Sequence, residues 1–517
     1  MPHCEVRVFG SRYKWTAKDY SDLDLVIIGN KKLDKKVIYD IKEAFSESDL
    51  PIRVDVLDWY TISDEFKQII NQGYEVIQKK EKQLPNGWEI KKLGDVVEVN
   101  KSSINKTDNF NFINYLDTGN LTEGKIEDVQ KLIIGQDKIP SRCKRKVRVG
   151  DILYSTVRPN QKHYGYLANI LENMIVSTGF CVVSTKISEA YDKFIYYYLT
   201  QKYITEQLHA IAEQSKATYQ SINLSDLTNL DIELPPLPTQ QQIASILSVL
   251  DEKIGINNQI NKKLEEMAKA LFKHWFIDFN FPDENGTPYK DSGDAMIDSE
   301  LGKIPKGWSF EEIGQVCKCI LGGTPSRNNP EYWNGGIAWI NSGKTNEYRI
   351  IAPSEYITEL GLKNSATKLL PAKTNVMAIT GTTLGQISLL EIPSCANQSV
   401  IGIIENEIIP YEFIYPMMIK QIQNIIQHQT GGAQQHINKN NVERTLFVLP
   451  ENKILNKYQL NIANLYQTIL INCFENKNLQ QIRDSLLPKL MSGEIDTCHS
   501  REDSCHSRVG GNPETTT

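Results

Sequence analysis

The chain has 517 residues, 40% of them hydrophobic and 23% charged, which is ordinary globular composition over a length too great for one domain. A net charge of −6 argues against a non-specific nucleic-acid binder, yet leaves room for a site-specific reader whose basic residues sit in a few loops. No apolar run is long enough to span a bilayer, the start has no signal-peptide pattern, and the nine cysteines contain no CxxC pair. Cys317 and Cys319, one residue apart, fit neither a zinc knuckle nor a redox motif, so reduced thiols in a cytoplasmic protein are expected.

In chain order, Val6–Phe9 reads as a strand followed by a Gly10-Ser11 turn. Asp22 and Asp24 lead a second strand, a helix is expected around residues 35–45, and Ile52–Asp58 reads as another strand carrying Asp55. Carboxylates at i and i+2 on a strand share a face, and an Asp on a neighbouring strand can join them. Three such oxygens suit Mg²⁺, and a Gly-Ser turn can cradle a phosphate. This pattern resembles the minimal nucleotidyltransferases of the polymerase-β superfamily, the antitoxin-type members included. The resemblance implies a small α/β domain over residues 1–82 in which Gly10 and Ser11 hold a nucleotide and Asp22, Asp24 and Asp55 bind Mg²⁺. The chain departs from that family by lacking a helix before the first strand and by placing Tyr13-Lys14-Trp15 after Gly-Ser-Arg. Weak or absent transferase activity is therefore expected, from a degenerate module joined by gene fusion or from a regulatory one.

The remainder repeats itself with a period of about 220 residues. Leu84-Pro85-Asn86-Gly87-Trp88 recurs as Ile304-Pro305-Lys306-Gly307-Trp308, and Asp151–Tyr154 corresponds roughly to Asn375–Ala378. Each copy is rich in Val, Ile, Tyr and Gly, and each closes alike: Ser221-Ile222-Asn223 running to Leu234-Pro235, and His436-Ile437-Asn438 running to Leu449-Pro450. Trp88 and Trp308 are expected to be core anchors rather than base-stacking residues.

After each copy the spacing predicts a long helix. Thr239 with Gln242, and Asn456 with Gln459, read as N-terminal caps. Ile243, Leu250, Asn257, Leu264 and Leu271 recur every seven residues, with Leu247, Ile254, Asn261 and Ala268 filling the other seam position. The second helix repeats this through Tyr458, Leu465, Asn472, Leu479 and Leu486, with Ile462, Ile469, Asn476 and Arg483. Matching Asn pairs favour two helices that associate antiparallel with each other over two helices each packed on its own domain. A helix from Gln240 to Phe279 would be about 60 Å long, enough to hold two domains on successive grooves of duplex DNA with its roughly 34 Å repeat, and could act as a ruler. His274 and Trp275 would face a partner or pack on the neighbouring domain.

The order of β-rich unit, long helix, β-rich unit, long helix resembles the DNA-specificity subunits of type I restriction–modification systems. Gly322-Gly323-Thr324-Pro325-Ser326, then Tyr332-Trp333 and Gly336-Ile337-Ala338-Trp339-Ile340, is similar to the family's opening of a recognition domain. Ala378–Gln386 followed by Asn397-Gln398 is similar to its central strand–loop–strand. The resemblance implies an α+β multidomain chain, with target-recognition domains at 84–236 and 304–449 and an antiparallel coiled coil from helices at 237–282 and 450–495. A linker at 283–303 and the small N-terminal α/β domain complete it. It further implies a non-catalytic reader of a bipartite site in double-stranded DNA. Such a reader recruits two methyltransferase subunits, which bring S-adenosylmethionine, and translocase–nuclease restriction subunits, which use ATP. Consistently, the chain has no GxxxxGK[ST] phosphate loop.

Base edges are read by Arg, Lys, Asn and Gln on exposed loops, and phosphates by cations, hydroxyls and backbone N–H groups. The candidates in the first domain are Arg158, Asn160, Gln161 and Lys162, with Ser215, Lys216, Thr218, Tyr219 and Gln220. In the second they are Ser326, Arg327, Lys344, Thr382, Thr383 and Gln386, with Gln434, Gln435 and His436. Two rivals stay open: a nucleotidyltransferase with a C-terminal binding platform, and a scaffold without DNA contact. After Ile495 the sequence changes character. Cys498-His499-Ser500-Arg501 recurs as Cys505-His506-Ser507-Arg508, and this repeat-derived tail (496–517) is expected to be disordered.

Overall fold

The computed structural model describes residues 4–495 except 19–20, 30, 79–83, 106, 187, 216–219, 284–285, 293–294, 300–301 and 428–435. The tail at 496–517 lies outside the described residues. The chain divides into two compact units, Met1–Ala244 with Pro488–Thr517, and Ser245–Leu487.

The first unit opens with a four-stranded sheet in the order Val54–Asp58, Leu23–Ile28, Glu5–Phe9, Glu75–Gln78. The two central strands are antiparallel, while Leu23–Ile28 and Val54–Asp58 run parallel. Parallel neighbours need a crossover, supplied by the Lys35–Ser46 helix, whose first turn is capped by the Asp34 carboxylate accepting from Lys36 N–H at 2.9 Å. Leu25, Ile27, Val54 and Val56 form the core under that helix, with Ile38, Ile41 and Phe45 packed against them.

The next domain is built on two four-stranded sheets. One has the order Gln130–Ile133, Phe112–Leu116, Met174–Ser177, Cys143–Lys146, and the other Tyr164–Tyr166, Ile152–Ser155, Phe180–Thr185, Val97–Val99. Its opening and closing segments pair as antiparallel strands, Glu89 opposite Leu234 and Lys92 opposite Asp231. The same closure recurs in the second unit, Ser309 opposite Leu449 and Glu312 opposite Leu446. There the main sheet has five strands, with Thr374–Ala378 between Val400–Ile404 and Ile387–Leu390. The two central strands that align in the sequence, at Ile152 and Val376, therefore hold equivalent places in their sheets.

Each domain leads into a 40-residue helix, Leu237–Phe276 and Asn452–Met491. Both start earlier than their expected caps. Pro238 is accommodated in the first turn, where its missing N–H would have had no partner, and Glu451 O accepts from the N–H groups of Ile454 and Leu455 in the second. Thr239 and Asn456 are thus helical residues rather than caps.

Within the second unit the helices run antiparallel along the expected seam. Asn257 donates to Asn476 Oδ1 at 2.9 Å, and Asn472 to Asn261 Oδ1 at 2.8 Å. Arg483, at a seam position, reaches Asp251 at 2.8 Å. All four Asn are buried. Beyond them the seam becomes aromatic: Phe276 packs on Tyr458 and Phe413 with ring centroids 4.8 and 4.9 Å apart. Trp275 and Trp308 are buried in the same core, so Trp275 packs inward while His274 stays exposed. A second buried device is Arg349, which lies beside Glu391 and between the rings of Tyr348, Tyr415 and Tyr466.

The amide pairs predict a specific mutational pattern. Asn257→Ala leaves the buried Asn476 Oδ1 without the Asn257 donor and should cost about 1–3 kcal/mol in urea unfolding, whereas Asn257→Leu with Asn476→Leu should recover part of that loss.

Candidate nucleic-acid interface

Each domain carries one exposed loop at the end of its central strand, and the same backbone stitch holds both. In the first, Ile222 N–H donates to Thr156 O at 2.9 Å and Arg158 N–H to Gln220 O at 2.9 Å, with a bridge between Val157 and Ser221. In the second, Ile437 N–H donates to Ile379 O at 2.9 Å, with a bridge between Thr380 and His436. Thr156 therefore corresponds to Ile379, Val157 to Thr380, Arg158 to Gly381 and Lys162 to Gly385. The stitch brings residues 158–162 against Gln220, and 381–383 against His436. The candidates Lys216, Thr218, Tyr219, Gln434 and Gln435 lie outside the described residues.

The correspondence exposes an asymmetry in backbone strain. Gly381 and Gly385 have φ of +70° and +82°, a region glycine enters freely. The matching residues of the first domain are Arg158 and Lys162, at φ 48° and 56°. A left-handed conformation costs a side-chain-bearing residue about 1–2 kcal/mol. The first domain thus places two basic residues where the second has the unstrained choice. Between them Asn160 and Gln161 are exposed, and Lys162 reaches Glu123 at 2.6 Å.

Other candidates are placed less openly. Lys344 is paired with Glu347 across one helical turn, and only 22% of its side chain is exposed. The side-chain oxygen of Gln386 is buried without a hydrogen bond. Neither is a free loop tip. Thr382 and Ser326 are exposed, Thr383 and Ser215 are half-buried, and Arg327 is bound bidentately by Glu355.

The N-terminal carboxylates form a separate site. Asp24 and Asp55 are opposite partners on the parallel strands, and Phe9 is opposite Asp24 on the other side. Gly10 follows Phe9 at φ +82°, where any other residue is strained, and a Cβ there would lie 2.3 Å from Asp24 Oδ2 and force that carboxylate to move. Burial and the charges of Asp55 and Asp22 push the Asp24 carboxyl above its ordinary value. A cavity of about 320 Å³ opens here, lined by Gly10, Lys14, Asp24, Asp55, Phe66 and Ile69 among others. Among the described residues, however, no three His, Cys, Asp or Glu side chains are arranged to hold a metal ion. Asp55 is instead paired with Lys42 at 3.2 Å. Sequence spacing could not show this, because Lys42 reaches Asp55 only through the packing of its helix on the strand. Ser11 is half-buried in the short Gly10–Tyr13 helix after the turn.

The described cysteines are all free, and burial pushes the Cys317 and Cys319 thiols up to about 12, which fits neither a metal ligand nor a reactive thiolate. No described helix is long and apolar enough to cross a membrane.

Two sheet domains of one design, each ending its central strand in a stitched loop and each followed by a long helix, define a duplicated recognition protein. The chain belongs to the family of type I restriction modification DNA specificity domains, whose model matches residues 85–266 and 305–483. Residues 5–82 match the polymerase beta nucleotidyltransferase family. The chain is 27% identical over 466 residues to the type I restriction enzyme HindI specificity subunit of Haemophilus influenzae, covering 79% of this chain and 99% of that one. Its N-terminal part is 57% identical over 82 residues to the probable protein adenylyltransferase MntA of Haemophilus influenzae, covering 16% of this chain and 72% of that one. Among solved structures, the type I restriction–modification S subunit from M. genitalium is similar, with 16% identity, a TM-score of 0.46, and coverage of 80% of this chain and 97% of that one.

Two predictions follow from the strained loop and the crowded carboxylates. Arg158→Gly should remove left-handed strain and raise the first domain's resistance to urea by about 1 kcal/mol, as unfolding curves would register. Asp24 has a raised folded-state pKa, so its stabilising contribution is complete at acid pH and is lost as pH rises through that value. Asp24→Asn should accordingly slow amide exchange of the Leu23–Ile28 strand relative to wild type at neutral pH, with the difference vanishing toward pH 3.

Proposed function

We propose that this chain reads a two-part site in double-stranded DNA, one half through each sheet domain, as the specificity subunit of a type I restriction–modification complex. The observation that carries the reading is the repeated stitch between residues 156–158 and 220–222, and between 379–380 and 436–437. It holds two short polar segments side by side on each domain, as base readout requires of a rigid frame. In the first domain Arg158 and Lys162 hold strained conformations that a scaffold alone would not need, and such strain points to function. Methyltransferase subunits using S-adenosylmethionine, and ATP-driven restriction subunits, would be its partners. The recognition domains themselves supply no chemistry in this reading.

The experiment is base-modification sequencing of DNA from cells expressing the chain with its methyltransferase subunit. A bipartite methylated motif that disappears on deleting the chain is the expected result. A stable complex of the two proteins with no new methylated motif would defeat the reading. Arg158→Ala should weaken methylation of that motif at least tenfold while leaving the complex intact.

A second reading concerns residues 1–82, which we propose bind a divalent cation weakly and a nucleotide phosphate at Gly10. Burial is the first cause of the raised Asp24 carboxyl, and the repulsion from Asp55 and Asp22 that adds to it is the feature a cation would relieve. That cation must first compete with the Lys42 ammonium for Asp55. Mn²⁺ titration of the full chain by electron paramagnetic resonance tests this. Lys42→Met should tighten binding severalfold and Asp24→Asn should abolish it; equal affinity in all three proteins would refute the proposal.

A further inference from the structure

Arg327 is an exposed arginine held with unusual rigidity. Its two terminal nitrogens donate to the two oxygens of Glu355 at 2.6 and 2.7 Å, and its guanidinium carbon lies 3.6 Å from the centre of the Trp333 ring. Trp333 is itself fixed. It meets Trp339 edge-on at 5.2 Å and donates its indole N–H to Ser326 O at 3.2 Å. Trp339 donates to Gly323 O at 3.2 Å, and Glu355 is its opposite partner on the neighbouring strand. The Arg327 loop is pressed onto the sheet, because a Cβ at Gly322 would lie 2.5 Å from the backbone oxygen of Ala396 in the Cys395–Ala396 strand. Thr324 further joins it to Gln398, whose neighbour Ser399 accepts from Ile379 N–H at the root of the 381–383 loop.

Half of the Arg327 side chain is nevertheless exposed, 51% against 42% for Glu355, so the pair adds little to stability. Glu355 occupies two of the five guanidinium N–H donors and leaves three. A free surface arginine would be drawn to phosphate by its charge, but here the carboxylate cancels that charge while fixing the direction of the remaining donors. A neutral, immobile set of directional donors suits a base edge better than a phosphate, and the entropy of holding the side chain is lost in folding rather than on binding.

We propose that Glu355, with Trp333, is a specificity-determining positioning residue: it presents Arg327 to the acceptor edge of a guanine in the half-site read by the second domain. The proposal rests on the DNA-reading function above. Arg327 was legible as a candidate from its loop, whereas Glu355, 28 positions later, was not.

The test is selection from a random duplex DNA library by the full chain in complex with its methyltransferase subunit, comparing wild type, Arg327→Lys and Glu355→Gln. Both variants should lose preference for one and the same guanine by about tenfold, since a good bidentate contact discriminates by about 1–3 kcal/mol. Glu355→Gln, which leaves the arginine charge uncancelled, should also steepen the salt dependence of binding. The half-site read by the first domain serves as the internal control for folding and should be unchanged. Unaltered preferences at every position in both variants would overturn the proposal, as would a shallower salt dependence of a third variant, Arg327→Gln, without loss of base preference, the mark of a phosphate contact. Should wild type itself enrich no motif, the DNA-reading function fails first, a result distinct from either variant outcome.

Discussion

Both recognition domains depend on a closure of the chain upon itself. In each, the first strand after the Gly-Trp turn pairs antiparallel with the last strand before the helix, through four residue pairs. A two-stranded ribbon of that size is marginal alone. Here it is held by apolar residues at both ends, Leu93, Ile232 and Leu234 in one domain and Ile313 and Phe447 in the other, all buried. Closure returns each chain segment to where it began, so the intervening residues form a self-contained unit. The stitched loops exist because the segment leading into the closing strand must pass the end of the central strand, where their backbones pair.

That common frame leaves the two loops free to differ. The second domain uses glycines at the left-handed positions, and the first uses Arg158 and Lys162. Backbone strain of this kind survives only where neighbouring structure enforces it, and the hydrogen bond from Arg158 N–H to Gln220 O is part of that enforcement. The second domain carries the Trp333–Arg327–Glu355 assembly. A duplicated frame with unlike loops is what reading two different half-sites demands, since identical loops would read identical sequences.

The N-terminal domain follows another logic. Its strand order places Asp24 beside Asp55 and leaves Gly10 against the Asp24 carboxylate. Lys42 answers part of that negative charge from within the chain. An exposed pair of this kind is weak, so it tunes the site rather than closing it.

Much was determined by the sequence alone. The duplication, the helix seams and the order of domains are carried by spacing, and a heptad with two Asn at matching places admits few other arrangements. The antiparallel pairing of Asn257 with Asn476 and Asn261 with Asn472 follows from it. The Gly10 turn and its carboxylates were equally legible, because glycine and i, i+2 patterns have local physical causes. The cap residues were misplaced, since proline in a first turn and a backbone carbonyl cap leave weaker marks than a capping box. Only the tertiary structure decided which loops meet, that Lys344 and the Gln386 oxygen turn away from the exposed tips, and that Lys42 and Glu355 engage Asp55 and Arg327. Those partners lie 13 and 28 residues apart, and nothing local links them. Their contacts arise from how strands and helices pack, which the spacing of residues along one element cannot encode.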